Sequence, residues 1–470
     1  GREIPMIIVA DPPVATPADG RRSGRAIVYV QANIHGGEVE GKESAQVLLR
    51  DLTVGGNARH LLERLIIIVV PIYNIDGNEA WGPEERNRRD QNGPERIGQR
   101  ANGMGLDLNR DCMKAESPEM LGALAKIYTT WDPDMVVDLH TTNGTRHGYD
   151  LTYSPPLGPD TEAGVLAFAR DSLLPQVRAR LKKKYGMETF DYGNVESGER
   201  QWETFSPLSR YVTNYAGART RIGVLSEATS YLPFRRRVEA THRFLREVLE
   251  VTFENASQVT ELTRAADERV AGWGVNPEAA PPRGVRFELQ SRGIEEVILE
   301  EGKKKSGAPV AADLKIVSLP VLDRFVATQT ARAPRAYLIP PAYPEVAALL
   351  ERHGVIVEET LSSFRGEVEL FQMENVKSAR EPFEGHRLTT LEGHFKKETR
   401  EVPAGTYLVR LSQPLGVLIF QLLEPESSDG VVAWGWVSRS LRVGSTYPIL
   451  KSYRELPVAR RRIPGLGGGR

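Results

Sequence analysis

Two histidines and two glutamates, each at or just beyond the end of an apolar run, are the residues of this chain best suited to chemistry. His35 and Glu38 stand in NIHGGEVEGKES (33–44), directly behind AIVYVQA (26–32). His140 closes MVVDLH (135–140), and Glu227 lies near the end of RIGVLSEA (221–228). Imidazole and carboxylate are zinc donors, and a catalytic zinc site takes three protein ligands while keeping a fourth position for water. Two glycines after His35 let the backbone turn tightly, and Glu38 opens the next helical stretch, so one loop can bring both groups to one ion. The alternative is a helix N-terminal glutamate favoured by the macrodipole, next to an incidental histidine. His140 offers a third ligand from another strand end, although alone it reads equally as a hydrogen-bonded core histidine. Asp138, two residues earlier and on the same strand face, is placed to orient it. Glu227 at the end of a buried run must be paired, ligating or catalytic, because an isolated buried carboxylate is costly. Beside a metal-activated water it serves as a general base.

A further pair, Asn109-Arg110, sits in GLDLNRD (105–111). The planar fork of arginine suits bidentate carboxylate recognition, and the alternative is a surface Asp–Arg cluster of little energetic weight. In this order, His35-x-x-Glu38, Asn109-Arg110, His140 and Glu227 resemble the zinc carboxypeptidases of the M14 family over roughly residues 1–255. NIDG (74–77) is similar to that family's Asn-Pro-Asp-Gly turn, with Ile75 in place of proline.

The resemblance implies that His35, Glu38 and His140 hold one Zn²⁺ per chain, the His₂Glu set known from zinc peptidases. It implies that Glu227 takes a proton from the zinc-bound water and passes it to the leaving amine. Arg110, helped by Asn109, would hold the terminal carboxylate of the substrate, and Asp107 would orient the first histidine. The family's transition-state arginine falls in EERNRRDQNGPERIGQR (84–100), with Arg88 or Arg89 the first choice. Its substrate-binding tyrosine falls in SPLSRYVTNYAGARTR (206–221), as Tyr211 or Tyr215.

These residues need a scaffold. Strand-like runs at 6–10, 26–32, 65–74, 135–140 and 221–228 alternate with helical patterns at 40–52, 117–131, 163–186 and 235–257. Continuous apolar strands between helices imply a sheet buried on both faces, and the resemblance implies a three-layer α/β/α mixed-sheet domain over 1–257. GWGVNPEAAPPRG (272–284) reads as a linker. Beyond it, 284–290, 366–374, 405–411, 415–423 and 430–437 read as strands of a β-rich module over 285–470, interrupted by a helix at 344–354. HGYDLTYSPP (147–156) reads as a polar loop lining the cleft, with His147 on the surface, and ARRRIPGLGGGR (459–470) as a solvated tail.

Lys plus Arg (61) balances Asp plus Glu (62), so no global field recruits nucleic acid or an anionic membrane. The single cysteine, Cys112, excludes an internal disulfide and a cysteine-rich zinc site. No apolar run is long enough to span a bilayer. The expectation is a secreted or periplasmic protein whose native start, with any signal peptide, lies outside this chain. The substrates expected are peptides with a free C-terminus. Two other functions compete: an amidohydrolase of the same architecture acting on N-acyl amino acids or cell-wall peptides, and a catalytically silent binding protein. The intact Glu227 speaks against silence.

Overall fold

The computed structural model describes residues 2–89, 91–195, 200–300, 314–463 and 465. A seven-stranded mixed sheet organises the first half. Across the sheet its strands run Ile7–Val9, Leu65–Val70, Ala26–Ala32, Met135–Thr141, Ile222–Ala228, Leu151–Ser154, Thr189–Asp191. The strands Leu65–Val70, Ala26–Ala32, Met135–Thr141 and Ile222–Ala228 are mutually parallel, and Ile7–Val9 and Leu151–Ser154 pair antiparallel to their neighbours. Alternate residues feed two cores. Val28, Val30, Val137 and Val224 pack under helices Glu40–Leu52, Leu174–Tyr185 and Phe234–Glu254. Ile27, Tyr29, Ile68 and Val136 face the other way. Apolar residues on both faces are what made these strands readable as continuous runs.

The covering of that second face comes partly from the distant second half. Its core joins the Pro118–Tyr128 helical segment to Val346 and Leu350 of helix Pro344–Arg352 and to Leu418 of helix Gly416–Leu423. This last helix corrects the expected strand at 415–423. An eight-residue apolar run carries no period, and here every residue but Gln421 is buried, so a helix satisfies it as well as a strand would. Turns, not a strand, occupy 430–437. Of the expected linker at 272–284, the first four residues end helix Ala256–Val275, residues 276–282 are irregular, and the last two open strand Arg283–Glu300.

The second half is β-rich as expected. It holds a long antiparallel ribbon, Arg283–Glu300 with Leu314–Ala331, and a second seven-stranded sheet built around Ala336–Ile339, Phe364–Ser378 and Thr389–Val402. Arg460–Arg462, expected in a frayed tail, forms an edge strand paired with Glu358–Thr360; the rest of that tail lies mainly outside the described residues. The ribbon also covers His147, which pairs by backbone bridge with Leu299 and is 2 % exposed, so the expected surface histidine is a core residue. The neighbouring 151–154 is a buried strand rather than a loop.

Candidate active site

Four side chains come together at the adjacent C-terminal ends of three parallel strands, the place where open α/β sheets leave room for a ligand. At the end of Ala26–Ala32 the chain turns through Asn33, held at φ +59°. The Asn33 amide donates to the carbonyls of His35 (3.2 Å) and Glu38 (3.0 Å), folding the loop back on itself. Gly36 permits the next contact. A Cβ there would lie 2.3 Å from the Gly77 carbonyl carbon, so the loop can press on the NIDG turn only without a side chain. Asn74 of that turn completes the brace by donating to the Ile34 carbonyl at 3.1 Å.

His35, Glu38 and His140 offer ligand atoms within 4.8 Å of one another, all buried. Both Nδ1 atoms face the Glu38 carboxylate, His35 at 2.8 Å and His140 at 3.0 Å. Both Nε2 atoms are held from outside, His35 by Asp107 at 3.0 Å and His140 by Asp138 at 2.7 Å. Two imidazoles and a carboxylate converging on one point fit a zinc ion, and outer carboxylates that fix ring orientation are what ligating histidines require. Burial would raise the Glu38 carboxyl, but His35 and Arg88 outweigh it and hold it well below the usual range.

Glu227 is paired with His140 across the sheet and faces the same cavity of about 140 Å³. Among the described residues none donates a hydrogen bond to its side chain. Burial, opposed by His140, pushes its carboxyl up to about 8. Asn109 and Arg110 line the same cavity. The Asn109 side-chain oxygen Oδ1 accepts from Val212 N–H at 2.9 Å, and the Arg110 guanidinium stacks 4.3 Å from the Tyr211 ring centroid. Tyr211 lines the cavity too.

Three expected residues lie elsewhere. Tyr215 points into the core, where its hydroxyl meets His353 Nδ1 at 2.6 Å. Arg88 is turned onto the cluster itself, donating to Glu38 Oε1 at 2.6 Å and to the Thr142 carbonyl at 2.8 Å, which makes it a brace for a ligand. Arg89 is exposed and is not among the described residues that line the cavity. From the 84–100 stretch the arginine that lines the cavity is Arg100, bound to Asp107 at 2.7 Å and 3.4 Å from His35 Nδ1. Sequence reasoning also missed Tyr192 and Phe205 on the cavity wall; neither carries a local signal.

A strand-end His/Glu/His cluster with a facing glutamate and a nearby arginine is a set of groups suited to metal-dependent hydrolysis. Known proteins offer likenesses of the same kind. Residues 1–155 match the profile of the zinc carboxypeptidases, peptidase family M14. Carboxypeptidase 2 of Trichophyton tonsurans is 25 % identical over 463 residues, covering 90 % of this chain and 76 % of its own. For carboxypeptidase 2 of Trichophyton rubrum the figures are 24 % over 490 residues, 96 % and 80 %. Among solved structures, a metallo-carboxypeptidase from Burkholderia cenocepacia is 17 % identical with a TM-score of 0.40, covering 54 % of this chain and 61 % of that one. One from Pseudomonas aeruginosa is 15 % identical with a TM-score of 0.39, covering 55 % and 62 %. The chain thus spans about three fifths of the solved chains it matches. The chain is similar to the M14 zinc carboxypeptidases over its first third and to carboxypeptidase 2 of these fungi over most of its length, a likeness that supports a peptidase of the hydrolase class.

Proposed function

We propose that the protein removes the C-terminal residue of peptides, with His35, Glu38 and His140 holding one zinc ion. The observation that carries this reading is the shared cavity: the metal-ligand cluster, Glu227 and Arg110 all line it. When bound, zinc would polarise the scissile carbonyl and make water a nucleophile near neutral pH.

The remaining work falls to the chain's own side chains. Arg110, backed by Asn109, pairs with the free α-carboxylate and sets the last peptide bond beside the cluster. Glu227 removes a proton from the attacking water and delivers it to the leaving amine. Arg100, fixed by Asp107, presents a donor where negative charge develops on the carbonyl oxygen. Tyr211 closes over the Arg110 guanidinium and limits water access to the ion pair.

The test compares a free-acid peptide with its C-terminally amidated twin, using protein with its metal content measured. The expected result is near-stoichiometric zinc and cleavage of the free acid at its last bond, with the amide nearly inert. Equal cleavage of both twins overturns the exopeptidase reading and favours an endo-acting or small-amide hydrolase.

A further inference from the structure

The substrate side of the cavity is gripped from behind by the second half of the chain, although none of the described residues lining the cavity comes from that half. Asp429 is 3 % exposed, and its carboxylate accepts from both the Arg210 backbone N–H (2.7 Å) and the Arg210 Nε (3.0 Å). The Trp434 indole N–H donates to the same carboxylate at 2.9 Å, and its ring lies 4.6 Å from the Arg210 guanidinium. One residue earlier, the Ser209 hydroxyl donates to Gln421 at 2.6 Å. One residue later stands Tyr211, stacked on Arg110. The loop bearing Arg110 is held similarly, the Asp107 N–H donating to Glu384 at 2.8 Å.

We propose that Asp429 and Trp434 are positioning residues for substrate binding: they fix the Ser209–Val212 turn, and so hold Tyr211 against Arg110 in the carboxylate subsite. A buried carboxylate with three donors from one turn and one indole has little freedom, and removing one partner strands the others. The turn's register is then set by the second half, and Tyr211 inherits it. This assignment gives the β-rich half a part in recognition at the site, without contact with substrate. It rests on the reading of Arg110 as the carboxylate anchor.

The test uses the full chain with Asp429→Asn and Trp434→Phe, measuring kcat and KM on the free-acid and amidated twins, zinc content, and amide exchange over 209–212. Asp429→Asn turns one acceptor into a donor facing an N–H. The expected outcome is a KM for the free acid raised roughly tenfold with kcat within about threefold, the pattern of lost binding rather than lost chemistry. Zinc content and the amide-twin rate should not change. Trp434→Phe keeps the ring and removes one N–H, so it should raise KM in the same direction by roughly threefold. If Asp429→Asn does not fold, Trp434→Phe decides.

Variants matching wild type in KM and in exchange over 209–212 overturn the proposal, as does an equal loss on both twins. If wild type itself shows no preference for the free acid, the proposed function has failed instead. Exchange over 209–212 then still decides: unchanged protection in the variants overturns the clamp.

Discussion

At the scale of single residues, the proposed function gives each group in the cavity a separable task. Glu227→Gln keeps the ligands and removes the base, so zinc content should stay near wild type while kcat falls on the order of a hundredfold or more. Near-normal turnover would reassign Glu227 to structure. Asp138→Asn leaves all three ligands in place but weakens the hold on His140 Nε2. Its expected effect is a loss of metal affinity of roughly 10–100-fold, read by competition with a chelator. Arg110→Ala should slow the free-acid peptide by the cost of stranding one partner of a charge pair, about 2–5 kcal/mol, and leave the amidated twin where it was. Kinetics on the twin peptides separate this from a purely bracing role beside Asp107, which would slow neither selectively. The convergence of His35, Glu38 and His140 was legible in sequence because each ends or follows an apolar strand with a fixed local spacing. Arg100 was not legible, because Arg86, Arg88, Arg89, Arg96 and Arg100 crowd one loop and only the tertiary path selects among them. Arg88, a first choice among them, faces the Glu38 carboxylate instead.

At the scale of elements, the loop after Ala26–Ala32 depends on its contact with the NIDG turn. Gly36→Ala would drive a methyl into backbone at Gly77, where no side chain can rotate away. Overpacking of this kind costs about 1–3 kcal/mol, and here the displaced atoms carry His35 and Glu38. A lower melting temperature together with reduced zinc occupancy is expected, whereas melting alone would mean that the loop shifts as a unit and keeps its ligand geometry. The four parallel strands were readable because their apolar runs reflect burial on both faces. Leu151–Ser154 and Thr189–Asp191 were not, since short strands such as LTYS and TFD look like loop. Gly416–Leu423 failed for the opposite reason: it is so uniformly apolar that no periodicity separates helix from strand.

Across the whole molecule, two histidines buried where the halves meet make stability depend on pH. Burial holds His147 down at about 4, and burial with the Arg219 charge holds His353 down at about 3. An exposed imidazole in the unfolded chain titrates near ~6.5. Between that value and the folded values the unfolded chain binds more protons, so stability is constant above this window and falls as pH drops through it. At pH 5 the loss should be on the order of 1–2 kcal/mol per histidine. Urea midpoints at pH 7.5 and pH 5 measure it, and His147→Gln should flatten part of the difference. A midpoint difference unaffected by that substitution would place the titration elsewhere.

The core shared by Ile27, Tyr29 and Val136 with Val346, Leu418 and Ile449 also sets a clock. A chain leaving the ribosome has exposed the strands that lead to His35, His140 and Glu227 long before the second-half residues that help to cover their sheet exist. The stretch from Glu227 to Ile449 takes about 10–45 s to synthesise at roughly 5–20 residues per second. During that interval one sheet face lacks part of its cover and the turn bearing Tyr211 lacks Asp429. Chains arrested after residue 257 are therefore expected to be degraded by added protease at sites that are protected in the finished protein, and resistance equal to the full chain would contradict this. The full cover of that sheet face, and the hold of Asp429 on the Tyr211 turn, therefore come late in synthesis, well after the strands they support.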